Sequence, residues 1–303
     1  MKRWVLLSLG CGRPQYEVTE FQRSQEGAAR LAATRGGLEL RVVVAENDPT
    51  RQKTQIMDAV TAPEADRPVA VVVHAAALVG FERVAQAALS AGVGWVLVDS
   101  SIPPSLLRAD FPGCLLSSAS PDSVEVGRLS ASLALALLPD GGSAVLIEGP
   151  STTAVALQRR RGLVEGLRDS KLRIVQTLVA DWKTAGAEKA THAWLEAAGD
   201  IAAKPDLVIS QNDEMAEGVL RVLRVKRPSW GKVAAIGIDG LSDYGQRLVH
   251  EGVLSATIVA PSSTGPGVDL VVRWLAGEKV TPVTVPVHPH PSLLELAPLR
   301  QRA

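Results

Sequence analysis

The chain lacks most of what marks a specialised protein. Its 303 residues include two cysteines, three phenylalanines and two tyrosines, and its formal net charge is zero. Cys11 and Cys114 show no CxxC or Cys/His spacing for zinc and read as two separate thiols, with a disulfide between them as the alternative. A neutral balance without an acidic or basic tail excludes the basic surplus of a nucleic-acid binder. No run approaches the ~18 apolar residues of a membrane span, so no membrane insertion is expected. Gly10-Cys11-Gly12 is a lone GxG, with Gln15 where a dinucleotide fingerprint needs its third glycine. A P-loop, a GxSxG elbow and an HExxH helix are missing too. His74 ends an apolar run without a second metal ligand, and His288 and His290 sit in a proline-rich stretch. No metal, no cofactor and no catalysis are therefore expected.

The N-terminus MKRWVLLSLGCG imitates a lipoprotein signal, with basic residues, an apolar run and then a cysteine. The apolar stretch Trp4–Leu9 is shorter than the ~7–15 residues of a signal core, and no small-x-small cleavage site follows. It reads better as a first β-strand. The expected location is cytoplasmic, with a periplasmic one as the alternative if a leader precedes this sequence.

What the chain does have is 46% hydrophobic residues in a regular rhythm. Strands are expected at Trp4–Leu9, Leu40–Ala45, Val69–Val73, Trp95–Val98 and Cys114–Leu116, with helices at Phe21–Ala33, Arg51–Val60 and Phe81–Ala91 between them. The rhythm restarts near Pro121. Helices at Ser123–Leu138, Ala154–Leu167, Ala185–Ala198, Glu214–Val225 and Asp243–His250 alternate with strands at Ala144–Ile147, Ile174–Val179, Leu207–Ser210, Val233–Ile238 and Leu254–Val259. A helix at Val268–Ala276 and a strand-like TPVTVPV close the chain. Many of these strands carry Val, Ile or Leu on both parities, as strands covered on both faces do. The class is α/β, with parallel sheets built from βαβ units in two similar rounds.

Ligands of open parallel sheets bind outside the carboxyl ends of the strands. Those ends carry Asp99-Ser100, Glu148-Gly149, Asp181-Trp182, Gln211-Asn212-Asp213 and Asp239-Gly240, with Arg159, Arg160 and Arg161 on the helix after Gly149. Acids, amides and a guanidinium at fixed positions suit a hydroxyl-rich small molecule, and an aromatic face can stack on a sugar ring. Structural readings stand beside these. Asn212 and Asp213 also suit a helix cap, Asp239-Gly240 a turn, and the arginines a solvated helix face.

The motifs AENDPTRQKTQI (45–56), RRRGLVEGL (159–167), QNDEMAEGVL (211–220), AIGIDG (235–240) and GVLSATI (252–258) occur in order over nearly the whole chain. In them the chain resembles the type I periplasmic sugar-binding proteins, the ribose-binding-protein group, which share a core with LacI-type repressors. The resemblance implies two Rossmann-like lobes with parallel sheets, joined by a three-segment hinge and closing on a monosaccharide. The first lobe would hold 1–120 plus 260–282, the second 121–259 plus 283–303. The family's ligand positions fall on Phe21, Asp99, Arg161, Trp182, Asn212 and Asp239. Ser100 replaces a frequent arginine and Ala260 a frequent glutamine, which points from ribose toward another sugar, a sugar acid, a polyol or a nucleoside. The implied partners are that small molecule and an ABC permease or a signalling protein. A monomer without catalytic activity is expected.

Overall fold

The structure is a computed structural model that describes residues 3–10, 19–46, 48–77, 80–107 and 111–299. Cys11, Gly12 and Gln15 of the glycine-containing loop lie outside the described residues. The chain forms two compact units, Met1–Pro121 with Ser262–Val285, and Asp122–Pro261 with Pro286–Ala303, so it passes from one unit to the other three times.

The first unit begins with β1 (Trp4–Leu9), α1 (Glu20–Arg35), β2 (Glu39–Val44), α2 (Pro49–Val60), β3 (Ala70–His74), α3 (Glu82–Ser90), β4 (Gly94–Val98), the short α4 (Pro104–Leu107) and β5 (Leu116–Ser120). The second contains α5 (Ser123–Leu137), β6 (Gly142–Glu148), α6 (Ala154–Leu167), β7 (Leu172–Val179), α7 (Thr184–Ala198), β8 (Leu207–Ser210), α8 (Asp213–Lys226), β9 (Ala234–Asp239), α9 (Gly245–His250) and β10 (Ala256–Val259). The chain then adds α10 (Thr264–Leu275) and β11 (Val283–Thr284) to the first unit, and β12 (His288–His290) and α11 (Leu293–Leu299) to the second.

Among the described residues each unit holds one six-stranded sheet, ordered β11-β5-β4-β3-β1-β2 in the first and β12-β10-β9-β8-β6-β7 in the second. All neighbours pair in parallel except β10 and β12. The fold class is therefore the expected α/β one. β1, β4 and β8 are buried along their whole length, because helices cover both sides of each sheet. In the first unit Ala29, Val268 and Val271 of α1 and α10 pack with Val5, Leu7 and Val72, while Ile56, Ala85 and Ala88 of α2 and α3 cover Leu6, Val71 and Trp95 opposite. The second unit repeats the arrangement, with α5 and α6 on one face and α7 and α8 on the other. The edge strands β2 and β7 are only partly buried.

The helix starts are written locally. Thr19 and Gln22 form a capping box on α1, and Asp48 and Asp122 accept the first backbone N–H groups of α2 and α5. Helices α5 and α6 touch backbone to backbone. A Cβ on Gly162 would lie 1.9 Å from the Val124 carbonyl oxygen, and one on Gly127 would lie 2.1 Å from that of Arg159. That contact sets which side of α6 is buried.

Some boundaries differ from the sequence expectation. β5 is Leu116–Ser120 rather than Cys114–Leu116, because the small residues Ser117, Ser118 and Ala119 pair with β4. α10 starts at Thr264, before Gly265-Pro266-Gly267. Proline is tolerated there because the first turn's N–H groups have no helical partner. Of TPVTVPV only Val283–Thr284 is strand, paired with β5. α4, β12 and α11 were not expected, and β12 takes its partner β10 from far up the chain. No helix among the described residues is long and apolar enough to cross a membrane.

Candidate functional site

In both sheets the strand order reverses beside the first strand of its round, between β1 and β3 in one unit and β6 and β8 in the other. The carboxyl ends around such a point form the usual ligand crevice of an open α/β sheet. The backbone marks the same ends. Among the described residues the non-glycine positions with positive φ are Glu46 (56°), Asp99 (54°), Trp182 (73°) and Asp239 (104°). They lie at or just beyond the carboxyl ends of β2, β4, β7 and β9 respectively. Such conformations cost about 1–3 kcal/mol each, persist only where the surroundings impose them, and cluster at functional sites.

In the first unit the Asp99 carboxylate accepts from Gln25 Nε2 at 3.0 Å and from Ser263 Oγ at 2.6 Å. His74 Nε2 stands 3.8 Å away. Gln25 and Ser263 are fully buried, on α1 and just before α10, so two helices fix one carboxylate. Phe21 lies one turn before Gln25 on α1 and is half-buried, so the two share a helix face. Glu46 pairs with Arg51 at 3.1 Å.

In the second unit the indole of Trp182 packs on Gly149, where an added Cβ would meet ring carbons at 2.0 Å. The Arg159 guanidinium lies 6.0 Å from the ring centroid, donates to the Gln211 carbonyl and stands 3.9 Å from Asp239. Gln211 is spent on scaffolding. Its Oε1 accepts from Gly149 N and its Nε2 donates to the Ala156 carbonyl. Glu148, at the end of β6, is bonded to Arg160 at 2.9 Å, and burial raises its carboxyl above the usual range against the pull of Arg160.

The structure thus brings Trp182 and Asp239 together in one unit, and places Asp99 and Phe21 at the carboxyl end of the sheet in the other. It does not bring Arg161 to this place. Arg161 is exposed and pairs with Glu165 on its own helix at 2.8 Å. The arginine that reaches Asp239 is Arg159, which is only 7% exposed. The reason is helical phase. Ala156, Arg159, Leu163 and Leu167 share the buried face of α6, with Gly162 against α5. Asn212 serves as a cap as well as a site neighbour. Its Oδ1 accepts from Met215 N, and its Nδ2 donates to the Trp182 carbonyl at 2.7 Å, which ties the tryptophan loop to α8.

Sequence reasoning passed over Asp213 as a site residue. It is 1% exposed and accepts from Thr257 Oγ1 at 2.6 Å and from Gly240 N at 2.8 Å. Burial pushes its carboxyl up to about 7, although Thr257, Gly240 and Arg159 all pull it down. Gln25 and Ser263 were missed as well. The only trace of Ser263 in the sequence is the polar SST run after β10. Among the described residues no cluster of three or more His, Cys, Asp or Glu could hold a metal ion.

Two parallel α/β units, each with acids and an amide or guanidinium at its strand ends, define a class of small-molecule binding protein. The chain belongs to the periplasmic binding protein family, whose domain profile matches residues 14–266. It is 27% identical over 263 residues to the ribose import binding protein RbsB of Haemophilus influenzae, covering 86% of this chain and 82% of that one. The arabinose-transporter binding protein of Shewanella, solved with L-arabinofuranose, has the same fold at 20% identity, with a TM-score of 0.79 over 98% of this chain and 96% of that one. The myo-inositol binding protein of Caulobacter does too, at 21% identity, with a TM-score of 0.77 over 98% and 96%.

Proposed function

We propose that this protein is a solute-binding protein for a small sugar or polyol. The observation that carries the reading is the trio in the second unit. A buried guanidinium, a carboxylate 3.9 Å from it and an indole face beside it supply a donor fork, an acceptor and a stacking surface. A hydroxyl-rich ring needs those three groups, the fork and carboxylate for vicinal hydroxyls and the indole for the apolar ring face. The first unit by itself offers an acceptor of the same kind at its strand ends, Asp99 braced by Gln25 and Ser263. Two features favour a ligand other than ribose. Ser100 follows Asp99 without a guanidinium, and the fully apolar Ala260 follows β10.

The reading is of binding without turnover. Its finer form is a receptor that hands its ligand to an ABC permease, supported by the named role of the ribose import relative. A sensor that reports ligand to a signalling protein is the alternative, and the cytoplasmic assignment belongs to it. Fractionation of the native gene product separates the two. The ligand reading is tested by thermal shift against pentoses, hexoses, sugar acids, cyclitols and nucleosides. A ligand at ~100 times its Kd adds about 2.7 kcal/mol. A hit recovered chemically unchanged supports binding. No shift anywhere in the panel, or conversion of the hit to product, contradicts it.

A further inference from the structure

Asp213, the first residue of α8, is enclosed on every side. Besides its bonds to Thr257 and Gly240, a Cβ on Gly237 or Gly245 would come within 2.0 or 1.9 Å of its oxygens, so β9 and α9 close directly over the carboxylate. The charged groups facing it are Arg159 of α6 and Glu214 of its own helix. From β9, the turn after it, β10 and α9 it meets Gly237, Gly240, Thr257 and Gly245, none of which titrates.

The N–H it holds is the peptide amide between Asp239 and Gly240. Asp239 has φ 104° and Gly240 has φ 58°, two positive values in succession. Aspartate does not keep the first of these unaided, so something outside the turn must impose it. The bond from Gly240 N to a buried carboxylate is such a restraint, and a charged acceptor makes it a strong one. Gln246 Nε2 adds a bond to the Gly240 carbonyl.

We propose that Asp213 is a positioning residue of the binding site. Sealed from solvent, it fixes the Asp239–Gly240 peptide and so aims the Asp239 carboxylate at Arg159. This deepens the reading given under Proposed function and rests on it.

The test uses the full chain with Asp213→Asn and Thr257→Val, and two readouts. One is the Gly240 amide resonance followed by NMR over a pH series, which needs no ligand. The other is calorimetric affinity for D-ribose, L-arabinose and myo-inositol. In the wild type the Gly240 resonance titrates near pH 7 with Asp213. Affinity weakens severalfold from about pH 8 to about pH 6, as the charged acceptor is lost. Asp213→Asn abolishes that titration, flattens the affinity profile and weakens binding about tenfold at the upper pH, the scale of one hydrogen bond to a charged group. Thr257→Val removes a bond that stabilises the ionised form, so it moves the Gly240 midpoint upward.

A folded Asp213→Asn protein with wild-type affinity and pH profile overturns the proposal. If that variant does not fold, an unchanged Gly240 midpoint in Thr257→Val overturns it instead. If the wild type binds none of the sugars while Gly240 titrates as described, the binding reading fails and the restraint on Asp239–Gly240 stands.

Discussion

Replacing Arg159 by methionine is the most informative single change. Methionine keeps the apolar stem in the buried face of α6 and removes only the guanidinium. The guanidinium stands 3.9 Å from Asp239, a separation at which opposite charges attract by ~4 kcal/mol at an effective dielectric near 20. The change takes the positive charge from beside the Asp239 carboxylate and the donor from the Gln211 carbonyl, in a poorly solvated place. Removing one partner of such a pair should destabilise the ligand-free protein by roughly 2–4 kcal/mol. At ~2–4 °C per kcal/mol for a domain of this size, the second unit should melt about 5–15 °C lower. Ligand affinity should fall ~30-fold or more, since the site loses a donor fork and the charge that balances Asp239. Arg161→Ala is the paired control. Its side chain is 70% exposed, so affinity should stay within about twofold and the melting temperature should barely move. Differential scanning calorimetry of the apo proteins and titration calorimetry with the bound sugar read both effects. A site lost in Arg161→Ala and kept in Arg159→Met would refute the helical-phase argument.

Further expectations follow from the same geometry. Trp182→Ala should weaken binding by ~2 kcal/mol or more, as for a stacked aromatic in a buried contact, while the far-ultraviolet dichroism spectrum is unchanged. Gly162→Ala places a Cβ 1.9 Å from the Val124 carbonyl oxygen, which must force α5 and α6 apart at a cost of about 1–3 kcal/mol, visible as a lower denaturant midpoint. Asp213 gives a sign-specific pH effect on stability. Its folded pKa, about 7, is above the unfolded 3.8, so the folded state holds the extra proton. The stability it contributes is complete below about pH 4 and is lost as pH rises toward 7, by at most ~1.4 kcal/mol per pH unit. Asp213→Asn should remove that slope from urea melts taken between those limits, and an unchanged slope would assign it to another group.

The α/β class was legible because a strand covered on both faces is apolar at nearly every position. Val5, Leu6 and Leu7, or Val71, Val72 and Val73, carry that requirement openly. The place of Asp99 and Asp239 at strand ends was legible because each closes an apolar run. What failed was choosing among three consecutive arginines. Composition cannot separate them, but the apolar phase of Ala156, Leu163 and Leu167 selects Arg159 and was in the sequence all along. The braces on Asp99 were not readable by any local rule. Gln25 and Ser263 lie 74 and 164 residues from it, and only the folded sheet brings them there. The early start of α10 hid behind Gly265-Pro266-Gly267, which reads as a break until the free first turn of a helix is allowed for. Asp213 was visible as a cap-like acid, but its partner Thr257 stands on β10, 44 residues further along the chain.

The central claim is that Arg159, Asp239 and Trp182 of the second unit hold one sugar or polyol. Titration calorimetry of the panel hit against wild type, Trp182→Ala and Arg159→Met tests it most directly. The account predicts one ligand per chain, with affinity reduced about tenfold or more by each substitution. A stoichiometry of two, or full affinity in either variant, would contradict it.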